Sequence, residues 1–155
     1  RAVAESFSGV AHRLEMIRTL HGVTYCNDSI ASSPTRTIAG LHALRQKPIL
    51  IAGGYDKHIP FDTLGDEICR HVKALFLTGF PAEKVYDAVT KSPLYAPEAL
   101  PIRKIDDFRE AVLAAAASAE EGDLVLLSPA CASFDHFKNF VERGETFRSI
   151  VNELK

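Results

Sequence analysis

The sequence predicts an α/β domain: a doubly wound, mainly parallel sheet with helices on both faces and a small N-terminal hairpin. Three observations carry this. Short unbroken apolar runs, such as Leu124–Leu127, have the character of strands covered on both sides. Amphipathic segments at helical spacing separate them, giving repeated strand–helix–strand units of the length a parallel crossover needs. Finally, loops rich in Gly, Ser and Ala follow several of the runs, as expected where strand ends must leave room for a ligand.

Taken in order, residues 14–20 and 23–27 read as two strands joined through His21-Gly22, a turn-forming pair. Ser33-Pro34 places a hydroxyl cap before a proline at the first helical position, and Ile38, Leu41, His42 and Leu44 continue that helix. Residues 48–52 form a buried strand ending in Gly53-Gly54. A helix over about 61–71 follows, then a strand at 74–78 and a helix opened by Pro81 and reaching about Thr90. The segment 92–101 holds three prolines and is expected to be a loop. A strand at 102–105, a helix at 108–119, a turn at Glu121-Gly122 and the strand Leu124–Leu127 continue the alternation. Phe137, Phe140, Val141 and Phe147 then recur at helical spacing.

With 155 residues, 46% hydrophobic and 25% charged, the chain can bury one core and reads as one soluble module. A net charge of −2 with dispersed basic residues offers no electrostatic stripe for nucleic acid and no general attraction to anionic lipid. No apolar run has membrane-spanning length. Cys26, Cys69 and Cys131 are odd in number and far apart, without C-x-x-C pairing, so neither a disulfide framework nor a zinc site is expected. Reduced thiols and a cytoplasmic location are the default.

Three loops after strands, at 27–33, 53–57 and 128–133, are expected to meet at one edge of the sheet. The last offers backbone N–H groups and hydroxyls before a helix, a setting that favours a carboxylate or phosphate. Ser133 or Asp135 can equally be the cap of that helix. No G-x-x-x-x-G-K-[ST] loop and no G-x-G-x-x-G occurs, so the chain carries neither common phosphate-binding signature.

Ser128-Pro-Ala-Cys-Ala-Ser-Phe-Asp135, with Phe137-Lys-Asn-Phe140 and Arg143-Gly144, resembles the last signature of the Mur ligases, in the branch that adds D-glutamate to UDP-N-acetylmuramoyl-L-alanine. Two more blocks fit in the same order: His12-Arg13 with Asn27-Asp28-Ser29-Ile-Ala-Ser-Ser-Pro34, and Gly53-Gly54-Tyr-Asp-Lys57. The resemblance spans nearly the whole chain. It implies a Rossmann-like third domain of a three-domain, ATP-dependent amide ligase of peptidoglycan precursor synthesis. Residues 1–11 would be the end of an interdomain linker and 12–155 the C-terminal, amino-acid-binding domain. ATP and Mg2+ would be held mainly by an upstream domain of the same chain and the UDP-sugar by another, so this segment alone is expected to make no product.

The resemblance also implies roles. In the family, ATP phosphorylates the acceptor carboxylate, and the D-glutamate amine attacks the acyl phosphate to give amide and phosphate. Ser32, Lys57, Ser133, Phe134 and Phe140 match positions that contact D-glutamate, and Arg13 and Asp28 match positions that reach ATP. Asp28 would accept hydrogen bonds from ribose hydroxyls, Arg13 would lie near the phosphates or adenine, and His12 would orient its loop. No catalytic residue and no metal ligand of this chain is implied. By residue type alone, Lys57 and Arg13 also read as surface charges, Asp28 as a turn residue, and Phe134 and Phe140 as core. Where many relatives read Asp-Ser-Lys-Ala-Thr, this chain has Ile30 and Ser32 in place of the lysine and the threonine, which leaves more of the anion binding to Lys57 and Arg13. Two other readings stand beside this one: a sister ligase, such as one extending folate with glutamate, and a freestanding nucleotide-binding module.

Overall fold

The computed structural model describes residues 11–54, 60–79, 82–132 and 137–155. Six strands form one sheet: β1 (Glu15–Leu20), β2 (Val23–Asn27), β3 (Ile49–Gly53), β4 (Ala74–Thr78), β5 (Ile102–Lys104) and β6 (Leu124–Leu127), in the order β1-β2-β6-β3-β4-β5. Only β1 runs antiparallel to its neighbour; the other pairings are parallel. The helices among the described residues are α1 (Pro34–Ala43), α2 (Asp62–His71), α3 (Ala82–Thr90), α4 (Phe108–Ser118) and α5 (Phe140–Glu153). The expected doubly wound sheet with its N-terminal hairpin is what forms.

Period-two geometry divides the core into two halves. Leu50 and Ala52 of β3, Leu75 and Leu77 of β4, and Leu124 and Leu126 of β6 face one side, where Leu41 of α1, Leu64 and Ile68 of α2, and Val85 and Val89 of α3 cover them. The alternate residues Ile49, Ile51, Phe76, Val125 and Leu127 face the other, beneath Phe108, Val112 and Ala115 of α4 and Phe147, Ile150 and Val151 of α5. Burial on both faces explains why these strands read as unbroken apolar runs. The hairpin turns through His21 at φ 54 and Gly22 at φ 81, the two positive φ values of a type I′ turn.

The ends of several elements differ from the sequence reading. Strand β5 stops at Lys104, one residue early, and β3 extends to Gly53. Ser33 stands at the N-cap of α1, but its hydroxyl makes no capping bond; Thr37 N–H instead donates to the Ser33 carbonyl at 3.2 Å. Pro81, expected to open α3, lies outside the described residues. The last helix begins only at Phe140. Asn139 caps it, its side-chain oxygen accepting from Glu142 N–H at 2.9 Å, while Glu142 reaches back to Lys138 N–H at 2.9 Å. Phe137 therefore precedes the helix and packs edge-on against Phe108, with centroids 5.1 Å apart. Val141 is 44% exposed, and the buried face of α5 is Arg143, Gly144, Phe147, Ile150 and Val151. Ser133 and Asp135, the two expected caps, lie outside the described residues.

Candidate functional site

Because β2, β6 and β3 are adjacent and parallel, their carboxyl ends open at one edge, and the loops that follow are stitched together there. Asp28 N–H donates to the Leu127 carbonyl at 2.7 Å, Ser128 N–H to Ile51 at 3.2 Å, Gly53 N–H to Pro129 at 2.9 Å, and Ala130 N–H to Ala31 at 2.9 Å. Two glycines make this closeness possible. Gly53 and Gly54 lie at φ 126 and 150, and a Cβ there would fall 1.8 Å from the Thr78 carbonyl oxygen and 2.3 Å from that of Ala132. Ala130 holds a left-handed φ of 64, which costs about 1–2 kcal/mol for a residue with a Cβ and is sustained by its bonded neighbours.

Arg143 fastens the platform from below. Its side chain is 2% exposed, and Nε donates to Ser29 Oγ at 3.0 Å, Nη1 to the Cys131 carbonyl at 2.9 Å, and Nη2 to the Ser29 carbonyl at 2.7 Å and to Ser32 Oγ at 3.3 Å. Ser29 Oγ donates in turn to the Phe140 carbonyl at 2.7 Å. One planar guanidinium thus fixes the loop after β2, the loop after β6 and the start of α5 together. Sequence reasoning quoted Arg143 as part of a block without giving it a task. The available signal was its position: it lies on the same helical face as Phe147, Ile150 and Val151, where a charged side chain must be fully hydrogen-bonded to be tolerated.

Asp28 sits within this platform and is 3% exposed. Its carboxylate accepts from Leu14 N–H at 3.1 Å and from Ser128 Oγ–H at 2.8 Å, and Thr37 Oγ–H donates to the Ser128 carbonyl at 3.2 Å. Burial raises its pKa to about 6; the two hydrogen bonds and the positive charges of Arg13 and Arg36 oppose that rise. Arg36 lies in the first turn of α1, is exposed like Arg13, and was not singled out from sequence. Among the described residues, these two bonds occupy two of the roughly four acceptor positions of the carboxylate.

A second network anchors the segment before β1. Asn27 Oδ1 accepts from Ser29 N–H at 3.0 Å, which orients the amide so that its Nδ2 donates to His12 Nδ1 at 3.0 Å. The imidazole proton therefore resides on Nε2, 3.5 Å from Glu145. Glu15 accepts from His12 N–H at 3.1 Å and from Arg148 at 2.7 Å. Burial works against its ionised form, but these bonds and the Arg148 charge outweigh burial and hold its carboxyl below the usual range. The His12 ring also stacks edge-on with Phe140, centroids 6.0 Å apart. These contacts tie His12 to the end of β2 and the start of α5.

Of the residues expected to meet D-glutamate, Ser32 and Phe140 are half-buried and joined through Arg143 and Ser29, whereas Lys57, Ser133 and Phe134 lie outside the described residues. Arg13 and Asp28 share the neighbourhood of the β2 terminus. Ile30 is half-buried, its N–H donating to the His12 carbonyl at 3.0 Å.

Residues 12–131 match the family model described as Mur ligase, glutamate ligase domain. The chain is 54% identical over 98% of its length to the UDP-N-acetylmuramoylalanine–D-glutamate ligase of Clostridium novyi and 51% identical over its whole length to that of Acetivibrio thermocellus. It spans about a third of the length of either relative. Among solved structures, a murein peptide ligase from Psychrobacter arcticus superposes with a TM-score of 0.63 at 12% identity, covering 93% of this chain and 30% of that one. A bifunctional folylpolyglutamate synthase/dihydrofolate synthase from Yersinia pestis does so at 0.63 and 11%, covering 92% and 31%. At those identities the likeness is one of fold.

Proposed function

The chain belongs to the Mur ligase family, as its glutamate ligase domain, and from that premise we propose that it serves an ATP-dependent ligase joining D-glutamate to UDP-N-acetylmuramoyl-L-alanine. The observation that carries the choice of amino acid is the identity of about half over nearly the whole chain to ligases named for D-glutamate. In this reading residues 12–155 are the C-terminal domain, 1–11 end a linker, and upstream domains of the same chain hold most of ATP, Mg2+ and the UDP-sugar. The compartment is the cytoplasm, consistent with three free cysteines and with no described helix long and apolar enough to cross a membrane.

The chemistry sets what such a domain must do. ATP supplies the acyl phosphate; this domain delivers a neutral amine in line with the carbonyl and keeps water away. Lys57, Ser32, Ser133 and the Phe134 N–H would hold the carboxylates of D-glutamate, leaving the amine free, with Phe140 as a wall. Arg13 would meet the phosphates or the adenine side, and Asp28 would offer its remaining acceptor positions to the ribose. The Arg143-clamped platform supports this reading, since precise delivery needs loops that do not shift.

The test is phosphate release by the full-length ligase containing this chain, given ATP and UDP-N-acetylmuramoyl-L-alanine. Release that requires D-glutamate and fails with L-glutamate or a diamino acid is expected. Release driven by a diamino acid, or by L-glutamate with a folate acceptor, would assign the chain to a sister ligase instead.

A further inference from the structure

A second cluster of ligand-type side chains lies away from the platform. Helix α1 starts beside the carboxyl ends of the strands, so its last turn, carrying His42, points to the opposite edge of the sheet. There α2 also ends, with Glu67 and His71 one turn apart on one face. His42 Nε2 lies 2.5 Å from Glu67 Oε1, and His71 Nε2 lies 3.3 Å from the same oxygen. The two imidazole rings are 5.0 Å apart between centroids, and the three ligand atoms all fall within 4.8 Å of one another. Arg70 donates to the other carboxylate oxygen, Oε2, at 2.8 Å.

We propose that His42, Glu67 and His71 form a binding site for a divalent transition-metal ion of the zinc class, tying the last turns of α1 and α2 together. Two imidazoles and one carboxylate are a donor set that such borderline ions accept, with water completing the shell. Metal–ligand bonds of about 2.0–2.2 Å in a tetrahedron place neighbouring ligand atoms roughly 3.3–3.5 Å apart. The His71–Glu67 separation already meets that. The His42–Glu67 hydrogen bond must open by less than about 1 Å, the ion taking the place of the shared proton. His42 is 54% exposed along its side chain and free to make that adjustment. Arg70 on Oε2 would hold the carboxylate so that Oε1 faces the ion.

The competing description is a surface ion-pair cluster centred on Glu67, and cobalt(II) distinguishes the two. Titrated into the untagged 155-residue chain, Co2+ should bind one equivalent with the visible absorption of a low-coordinate nitrogen–oxygen site, and Zn2+ should discharge it. His42→Gln and His71→Gln should each weaken binding roughly tenfold or more with the circular dichroism unchanged. In the unsubstituted chain, Co2+ should shift or broaden the imidazole proton resonances of His42 and His71 before those of His12 and His21, a readout that does not depend on any variant folding. No visible band, affinity unaltered in both variants, or a thiolate charge-transfer band from nearby Cys69 would overturn the proposal.

Discussion

Asp28 is a carboxylate buried at a stability cost. Its folded pKa of about 6 stands above the ordinary 3.8, so the folded state binds the proton more tightly than the unfolded chain does. Below about pH 4 both states are protonated and there is no penalty. As pH rises from there through 6 the penalty grows, reaching roughly 3 kcal/mol at neutral pH. Asp28→Asn removes the charge while keeping an acceptor for Leu14 N–H and offering a donor to Ser128, whose own proton can turn to Thr37 Oγ, 3.0 Å away. The variant is therefore expected to melt several degrees higher at pH 7.5, with the gain vanishing near pH 4, while the full-length ligase loses affinity for ATP. A variant equally stable at both pH values would remove the buried-charge account. Arg143 is the opposite case, a charge that satisfies its surroundings. Arg143→Met should cost roughly 3 kcal/mol or more in urea unfolding, because the Ser29 and Cys131 carbonyls lose their donors, and Arg143→Lys should recover little of it.

At the scale of elements, the site depends on how closely α5 approaches the segment before β1. A Cβ on Gly144 would fall 2.2 Å from His12 Nδ1 and 3.0 Å from Asn27 Nδ2, so Gly144→Ala must push the helix off the hairpin. The expected loss is about 2 kcal/mol, seen as a lower urea midpoint at unchanged m. This contact also marks where the sequence stopped being readable. Strands β3, β4 and β6 were legible because burial on both faces leaves a mostly apolar run, and β2 through the turn at His21-Gly22 that pairs it with β1, since few pairs accept two positive φ values. The start of α5 was not, since Phe137, Phe140, Val141 and Phe147 fit a 3.6 period whether or not the backbone is helical throughout; Asn139 decides it locally. Ser32, Phe140, Arg13 and Asp28 were named as candidates from the blocks that carry the resemblance, and the fold brings them to the same edge of the sheet. Arg143 could not be given a task, because its partners Ser29 and Ser32 are distant in sequence and meet it only through the sheet order.

At the scale of the molecule, the sheet brings three loops to one edge and leaves the other edge to the ends of α1 and α2. In the proposed reading, residues that would receive substrate are thereby separated from those at the far ends of the helices, apart from the platform itself. A rigid third domain of this kind would carry its amino acid as one body while the upstream domains hold the nucleotide, closing over the acyl phosphate to exclude water. The most direct test of that division is steady-state kinetics of the full-length ligase carrying Lys57→Ala. Loss of one charge-assisted hydrogen bond, about 2 kcal/mol, should raise KM for D-glutamate roughly thirtyfold while leaving KM for ATP within about twofold. Equal increases for both substrates would contradict the assignment of this domain to the incoming amino acid.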